Sequence, residues 1–402
     1  MPGVLFGEGM TEREFATDIV RTLQQAGHTA LWAGGCVRDE LLGLAPNDYD
    51  VATDAKPEQV RKLFRRTVAV GAAFGVIEVV GPRGPGGEFL TVEVATFRSD
   101  GAYIDGRRPE SVVFSSPEED AQRRDFTING MFFDPLKGEL IDYVGGQRDL
   151  GAKVLRAIGD ATARFTEDKL RVLRAVRIAA RFGLAIDPDT LAAGRRIAPE
   201  ITVVSAERIA EELRKLLAHP NRVRGLELLR DFELADVILP ESRGGDGVIA
   251  GLGAEASFPL AFAALLLSLD APTVEKIADR LKLSSAEKVR AAWLVENKDF
   301  LRDAADMKRS NLFPMLVHPG VGELLALNRA MGAGHVEFCE RVLRETPTDV
   351  LNPPPLITGE DLIALGMKPG PAFKRILEAA RASQLDGLLT TKEEAQRFAR
   401  EA

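Results

Sequence analysis

Two carboxylates one residue apart, Asp48 and Asp50, follow the run Gly34-Gly35-Cys36-Val37-Arg38-Asp39. Alternate residues of an extended strand project to the same face, so this pair stands close together. Carboxylates so placed repel each other unless a cation lies between them. Mg²⁺ bound by one or two carboxylates plus substrate phosphates resolves that repulsion. The glycine pair lets backbone N–H groups approach an anion, and Arg38 is placed to hold a phosphate. The ensemble reads as a metal-dependent site for a nucleoside triphosphate. A lone D-x-D pair more commonly caps a turn, but the preceding glycines and the β-branched Val51 that follows favour metal binding. Two-metal nucleotidyl transfer uses one ion to lower the pKa of the attacking hydroxyl and another to bridge the triphosphate. It calls for a third catalytic carboxylate on a neighbouring strand, and Glu93 in Val92-Glu93-Val94 is the candidate. Its alternative is an outward-facing strand glutamate.

Two further clusters carry chemistry. In Arg123-Arg124-Asp125-Phe126-Thr127-Ile128-Asn129, arginine, carboxylate and amide suit phosphates and ribose hydroxyls. The same residues equally suit an N-capped helix start with solvated arginines. Downstream, Glu167-Asp168-Lys169-Leu170-Arg171 runs on to Arg174, Arg177 and Arg181. On a helix Asp168 and Arg171 lie at i and i+3 and face the same way. They form either an intrahelical ion pair or a reader of base edges. A carboxylate and a guanidinium answer the amine donor and ring-nitrogen acceptor that cytosine and adenine share, at roughly 1–3 kcal/mol of discrimination per bidentate contact. Arg174 and Arg177 then follow along one side, within reach of triphosphate or RNA backbone.

The elements that must position these residues divide the chain in two. Up to about residue 150, helical spacing over Glu12–Ala26, Val37–Leu42 and Pro57–Phe64 alternates with strand patterns at Thr29–Ala33, Tyr49–Ala52, Val76–Val80 and Phe89–Phe97. Beyond Asp149 strand signals stop, and helical periodicity marks Glu167–Phe182, Ala206–Leu217, Arg222–Phe232, Leu260–Leu269, Thr273–Leu281 and Ala286–Glu296. Asn352-Pro353-Pro354-Pro355 is a linker to a last helical segment. The predicted fold class is α+β: a mixed sheet with helices at the head and an all-α remainder.

Composition bounds the function. At 402 residues the chain is too long for one core. No window reaches the roughly 18 apolar residues of a membrane helix, and the N-terminus lacks a signal peptide's charge and apolar runs. Two cysteines exclude a disulfide framework and point to the cytoplasm. A net charge of −8 excludes a globally basic nucleic-acid coat. Positive charge is instead concentrated: Lys153–Arg181 holds eight basic residues against three acidic ones.

In chain order, Gly34-Gly35-x-x-Arg38-Asp39…Asp48-x-Asp50, Arg123–Asn129, Asp142…Gly145-Gly146…Asp149-Leu150, Glu167-Asp168-x-x-Arg171-x-x-Arg174 and Glu207-Arg208-Ile209…Glu212-Leu213 resemble five motifs. They are those of the class II CCA-adding enzymes (tRNA nucleotidyltransferases) and their bacterial poly(A) polymerase relatives, over about residues 28–240. The resemblance implies a polymerase-β-like nucleotidyltransferase head at 1–150, a helical neck with the nucleotide-selecting helix at 151–220, an RNA-binding body at 221–351 and an RNA-binding tail at 352–402. It implies that Asp48 and Asp50 bind Mg²⁺, that Gly34, Gly35 and Arg38 hold the triphosphate, and that Arg123, Asp125 and Asn129 lie at ribose and phosphates. By the same resemblance Asp168 and Arg171 pair with incoming CTP or ATP. Asp142–Leu150 is similar to the head–neck hinge, and Glu207-Arg208 to the motif that steadies the selecting helix.

The implied partners are tRNA, CTP and ATP, with no membrane and no protein partner. Gly130, Ile178 and Lys374 depart from the family pattern, the first two as packing changes. Ala72-Ala73-Phe74 after Gly71 carries no charge, which favours the tRNA enzyme over a poly(A) polymerase. The full-length stretch Arg98–Pro109 implies competence to add the terminal A. A non-catalytic RNA-binding protein on the same head predicts a lost metal or template residue, and none is missing.

Overall fold

The computed structural model describes residues 9–71, 75–100, 112–242 and 246–402. Contacts divide the chain into two compact units. One runs to Glu212 and takes in Arg224–Leu239, and the other comprises Leu213–Val223 and Pro240–Ala402. Stretches expected as head and neck thus share the first unit up to Glu212.

That unit opens with α1 (Glu12–Gln25). The Thr11 hydroxyl accepts the Glu14 N–H, and the Glu14 carboxylate accepts the Thr11 N–H at 2.8 Å, a reciprocal cap that satisfies two free donors. Phe15, Ile19, Val20 and Leu23 recur at helical spacing and are fully buried. There follow β1 (Ala30–Ala33), α2 (Gly35–Leu41), β2 (Asp50–Thr53), α3 (Pro57–Leu63), β3 (Thr67–Gly71), β4 (Val76–Arg83) and β5 (Phe89–Thr96). A small ladder pairs β6 (Arg98–Asp100) with β7 (Val112–Phe114). Then come α4 (Pro117–Gln122), one 3-10 turn at Thr127–Asn129, and the hairpin of β8 (Phe132–Asp134) and β9 (Glu139–Ile141).

Seven strands form one mixed sheet in the order β3-β4-β5-β2-β1-β8-β9. Its pairings are antiparallel except β2 with β5, where Asp50 stands opposite Glu93. A core of Leu31, Ala33, Ala52, Phe97, Ala121 and Phe132 lies against the sheet's centre. The hairpin strands are three residues each, too short for alternation to mark them. Their signal is the turn: Asp134 accepts the N–H groups of Leu136 and Lys137, and Gly138 closes it at φ +70°.

Helices α5 (Gly146–Gly151), α6 (Ala161–Glu167), α7 (Leu170–Phe182), α8 (Pro188–Ile197), α9 (Ala206–Leu217) and α10 (Arg222–Asp231) follow. The single helix expected over Glu167–Phe182 is corrected here, because the chain breaks between α6 and α7. Asp168 is extended (φ −144°, ψ 105°) and its carboxylate accepts the Leu170 N–H. Aspartate's short side chain competes for free N–H groups at a helix start, and here that competition ends one helix and begins the next. Gly183, left-handed at φ 63°, terminates α7.

The second unit is built of helices. Phe258–Leu265 is buried nearly all round, as an apolar helix without a polar face must be. Ile357, Leu362, Ile376, Ala380, Ala395 and Ala399 give the last segment a cluster of its own. Buried Arg222 donates to the carbonyls of Leu217, Leu252, Gly253 and Ala254. Among the described residues no helix is long and apolar enough to cross a membrane.

Candidate active site

The D-x-D segment sits at the entry to β2, with exposed Asp48 in the preceding loop and Asp50 at the strand's first position. Tyr49 between them turns inward. Its ring lies 4.9 Å from that of Trp32, edge to face, and its hydroxyl donates to Glu40. The Tyr49 N–H donates to Glu12 at 3.1 Å. With the middle residue anchored in the core, the two aspartates are directed the other way.

Burial raises the Asp50 carboxyl to about 7, Asp48 and Glu93 add to the rise, and Arg124 opposes it. Glu93 is likewise raised by burial and by Glu78 and Asp48. Glu12 is raised by burial and Asp48, against its hydrogen bond from Tyr49. Five carboxylates, with Glu78 on β4 among them, therefore crowd one region. Among the described residues no three His, Cys, Asp or Glu side chains form a complete metal cage. A pair of hard oxygen donors backed by further negative charge suits Mg²⁺, which takes its remaining ligands from phosphate and water.

Beside the aspartates, β1 ends in the glycine pair. Gly34 adopts φ 77°, ψ −124°, a conformation closed to other residues, and its N–H donates to the Met131 carbonyl. A Cβ there would meet Arg124 Nη1 at 2.7 Å, so the Arg124 guanidinium lies directly on this turn. Gly35 opens α2, where Arg38 is buried. Arg38 donates to the Asn129 side-chain oxygen at 2.6 Å and to Asp39 at 2.8 Å, and its guanidinium lies 4.3 Å from the Phe182 ring centre.

Asn129 in turn donates to Asp125, which also accepts Arg174 through two N–H groups at 3.0 and 2.7 Å. Burial would raise Asp125; Arg174 and Asn129 outweigh it and hold the carboxyl at about 2. One network thus joins Arg38, Asn129, Asp125 and Arg174. Sequence reasoning chose Arg123 from the arginine pair. In the structure both arginines bond Asp120, but Arg123 goes on to the Arg98 carbonyl, while Arg124 is the member beside Gly34 and Asp50. Adjacent arginines in one motif carry no signal that separates them, and nothing in the sequence marks Glu12.

Helix α7 presents the remaining predicted residues. Arg171 donates to Glu167 at 2.6 Å and to the Arg164 carbonyl, Arg177 bonds Glu212, and Arg181 lies 3.5 Å from Asp39. Asp168, outside the helix, accepts both terminal nitrogens of Arg208 at 3.3 and 2.7 Å. The expected placement of Asp168 and Arg171 at i and i+3 of one helix is thereby corrected, since Asp168 precedes α7; Arg208 holds the one and Glu167 the other. Asp142 accepts the N–H groups of Val144, Gly146 and Gln147 at the start of α5. Arg98–Pro109 extends beyond the described residues, and Ala72–Phe74 lies outside them.

This geometry agrees with what the chain resembles. Residues 30–156 match the family model described as Poly A polymerase head domain, and 183–243 the one described as probable RNA and SrmB-binding site of polymerase A. The CCA-adding enzyme of Streptococcus sanguinis is 33% identical over 398 residues, covering 96% of both chains. The chain belongs to the CCA-adding enzyme family. The family's Geobacillus kaustophilus member is 44% identical over 222 residues, so the chain spans about half the length (53%) of that relative. Among solved structures, the Bacillus stearothermophilus CCA-adding enzyme in complex with CTP superposes with a TM-score of 0.82 at 29% identity, over 96% of each chain. The Thermotoga maritima CCA-adding enzyme complexed with tRNA shares the fold at a TM-score of 0.66 and 22% identity.

Proposed function

We propose that this protein is a cytoplasmic tRNA nucleotidyltransferase that adds CCA, or its terminal A, to tRNA 3′ ends from CTP and ATP with release of pyrophosphate. The observation that carries the reading is the meeting of Asp48, Asp50 and Glu93 at a glycine turn bearing Arg124, on a chain whose family match runs nearly end to end.

The donor set of Asp48 and Asp50 fits Mg²⁺. Bound there, Mg²⁺ supplies Lewis-acid chemistry, acidifying the RNA 3′-hydroxyl and neutralising the triphosphate. The chain's own residues do the positioning. Gly34 and Gly35 bring backbone close to the phosphates, and Arg38 and Arg124 face them with positive charge. Asp125 and Asn129, locked together by Arg38 and Arg174, present acceptors of fixed orientation to the ribose. Glu93 backs Asp50 as the third carboxylate. Asp168 and Arg171, at the start of α7, read the base edge. Arg123 ties the end of α4 to β6 through the Arg98 carbonyl, and Arg177 ties α7 to α9 through Glu212. The assignment of head, neck, body and tail to 1–150, 151–220, 221–351 and 352–402 draws support from the separate apolar cluster of the last segment.

The test is 3′-end extension with Mg²⁺ on tRNAs ending at the discriminator base, at C and at CC. Growth of all three to one CCA end is the expected result. Addition of a single A to the CC-ended substrate alone would mark an A-adding enzyme, and a long A ladder a poly(A) polymerase. No extension would defeat the reading.

A further inference from the structure

At the β3 edge of the head sheet, four cations surround a groove. The end of α3 and the turn into β3 read Arg61-Lys62-Leu63-Phe64-Arg65-Arg66, and these four basic residues line a groove of about 750 Å³ with Glu58 as its lone carboxylate. Among the described residues none of the four makes an ion pair. The arginines of α7 are the contrast, each bonded to a protein carboxylate. Positive charge left uncompensated in a chain of net −8 has to answer a ligand or remain fully hydrated.

The flank of the groove favours a ligand of one kind. Phe89, 48% exposed on β5, carries the Arg66 guanidinium 5.6 Å from its ring centre and that of Arg83 at 4.7 Å. An exposed ring beside a cationic track is the arrangement that binds RNA strands, with phosphates on the cations and bases or ribose against the ring. In strand order β3 stands three steps from β2, so at about 4.8 Å per step the groove lies roughly 14 Å laterally from Asp50.

We propose that the α3–β3 groove is an RNA-backbone track on the head, holding the tRNA strand whose 3′ end lies at Asp48 and Asp50. This rests on the tRNA reading above and adds a contact surface to it. None of the groove's residues belongs to the catalytic set.

The experiment uses the full chain and a fluorescein-labelled tRNA transcript lacking CCA, with anisotropy followed from low to moderate KCl. The double variant Arg65→Gln/Arg66→Gln is compared with Lys137→Gln, an exposed lysine on the β8–β9 turn of the same sheet. The expected result is a several-fold higher Kd and a log–log salt slope shallower by roughly 0.7–0.9 per lost contact. KM for tRNA should rise with kcat and the KM for CTP unchanged, and Lys137→Gln should match the parent.

An unchanged Kd and slope, or an equal loss in Lys137→Gln, overturns the track. Loss of poly-glutamate binding with tRNA binding intact also overturns it, in favour of an acidic protein partner. If the parent extends no tRNA yet the double variant loses RNA affinity, the catalytic reading fails and the track stands. Should the double variant misfold, the single Arg65→Gln is read in its place, and an unchanged Kd there overturns the proposal.

Discussion

Asp50 and Glu93 stand in register across the parallel β2–β5 pair. Burial, Asp48 and Glu93 together hold Asp50 near 7, far above an ordinary aspartate. Because this folded value lies above the unfolded one, the metal-free protein loses stability as pH rises from about 4 through about 7. Asp50→Asn removes that loss. The variant should melt several degrees above the parent at pH 8 in EDTA, while tRNA extension falls on the order of 10³-fold or more. Added Mg²⁺ should raise the parent's Tm and leave the variant's unmoved. Scanning fluorimetry with and without the ion checks both.

Gly34 tests the turn. With φ 77° and ψ −124° and only 2.7 Å between a new Cβ and Arg124, alanine is strained and displaces the guanidinium. Gly34→Ala should cost roughly 1–3 kcal/mol of stability. It should also raise KM for both CTP and ATP. Gly43, with positive φ but open space around it, serves as the matched control: its alanine variant should keep the parent's KM.

Asp168 and Arg208 test selection. The bidentate bond fixes the carboxylate at the start of α7. Asp168→Ala should raise misincorporation of UTP and GTP more than it weakens triphosphate binding, by roughly tenfold for one lost base-edge contact. Arg208→Ala should show the same trend more weakly, because Asp168 remains but is no longer oriented. Single-nucleotide extension with each NTP measures it, and retained C and A selectivity in Asp168→Ala would refute the base-reading role.

Asp125 gives a pH window of opposite sign. Its folded value of about 2 lies below the unfolded one near 4. The stabilisation is complete above about pH 4 and is lost as pH falls through about 2. It amounts to roughly 2 kcal/mol. Arg174→Gln should move acid unfolding to higher pH, and Asp125→Asn should flatten the dependence over that interval. Acid titration followed by circular dichroism reads both.

Much of this arrangement was legible in the residues. The glycine pair, the D-x-D segment and β-branched β2 and β5 announced a strand–turn–helix beside a strand that the acidic segment enters, and the structure has them adjacent, with Asp50 on the strand and Asp48 in the loop before it. The family resemblance drawn from five ordered motifs agrees with the near full-length match to the Streptococcus sanguinis enzyme. Harder to read were features set by contacts distant in sequence. Periodicity alone carried a helix through Asp168, because the break depends on a local hydrogen bond to Leu170 rather than on spacing. The roles of Arg123 and Arg124 diverge only once the Arg98 carbonyl is set beside the one and Gly34 beside the other. Glu12 reaches the Tyr49 N–H across 37 residues. β8 and β9 were hidden by their length.

The inward turn of Tyr49 has a mechanical consequence. Its ring against Trp32 and its hydroxyl on Glu40 make the middle residue of the acidic segment an interior anchor, so Asp48 and Asp50 inherit the stiffness of the core rather than the mobility of a surface loop. Charge-charge repulsion would splay two unanchored carboxylates apart whenever no cation is bound. Here the backbone between them is held by the packing of Tyr49.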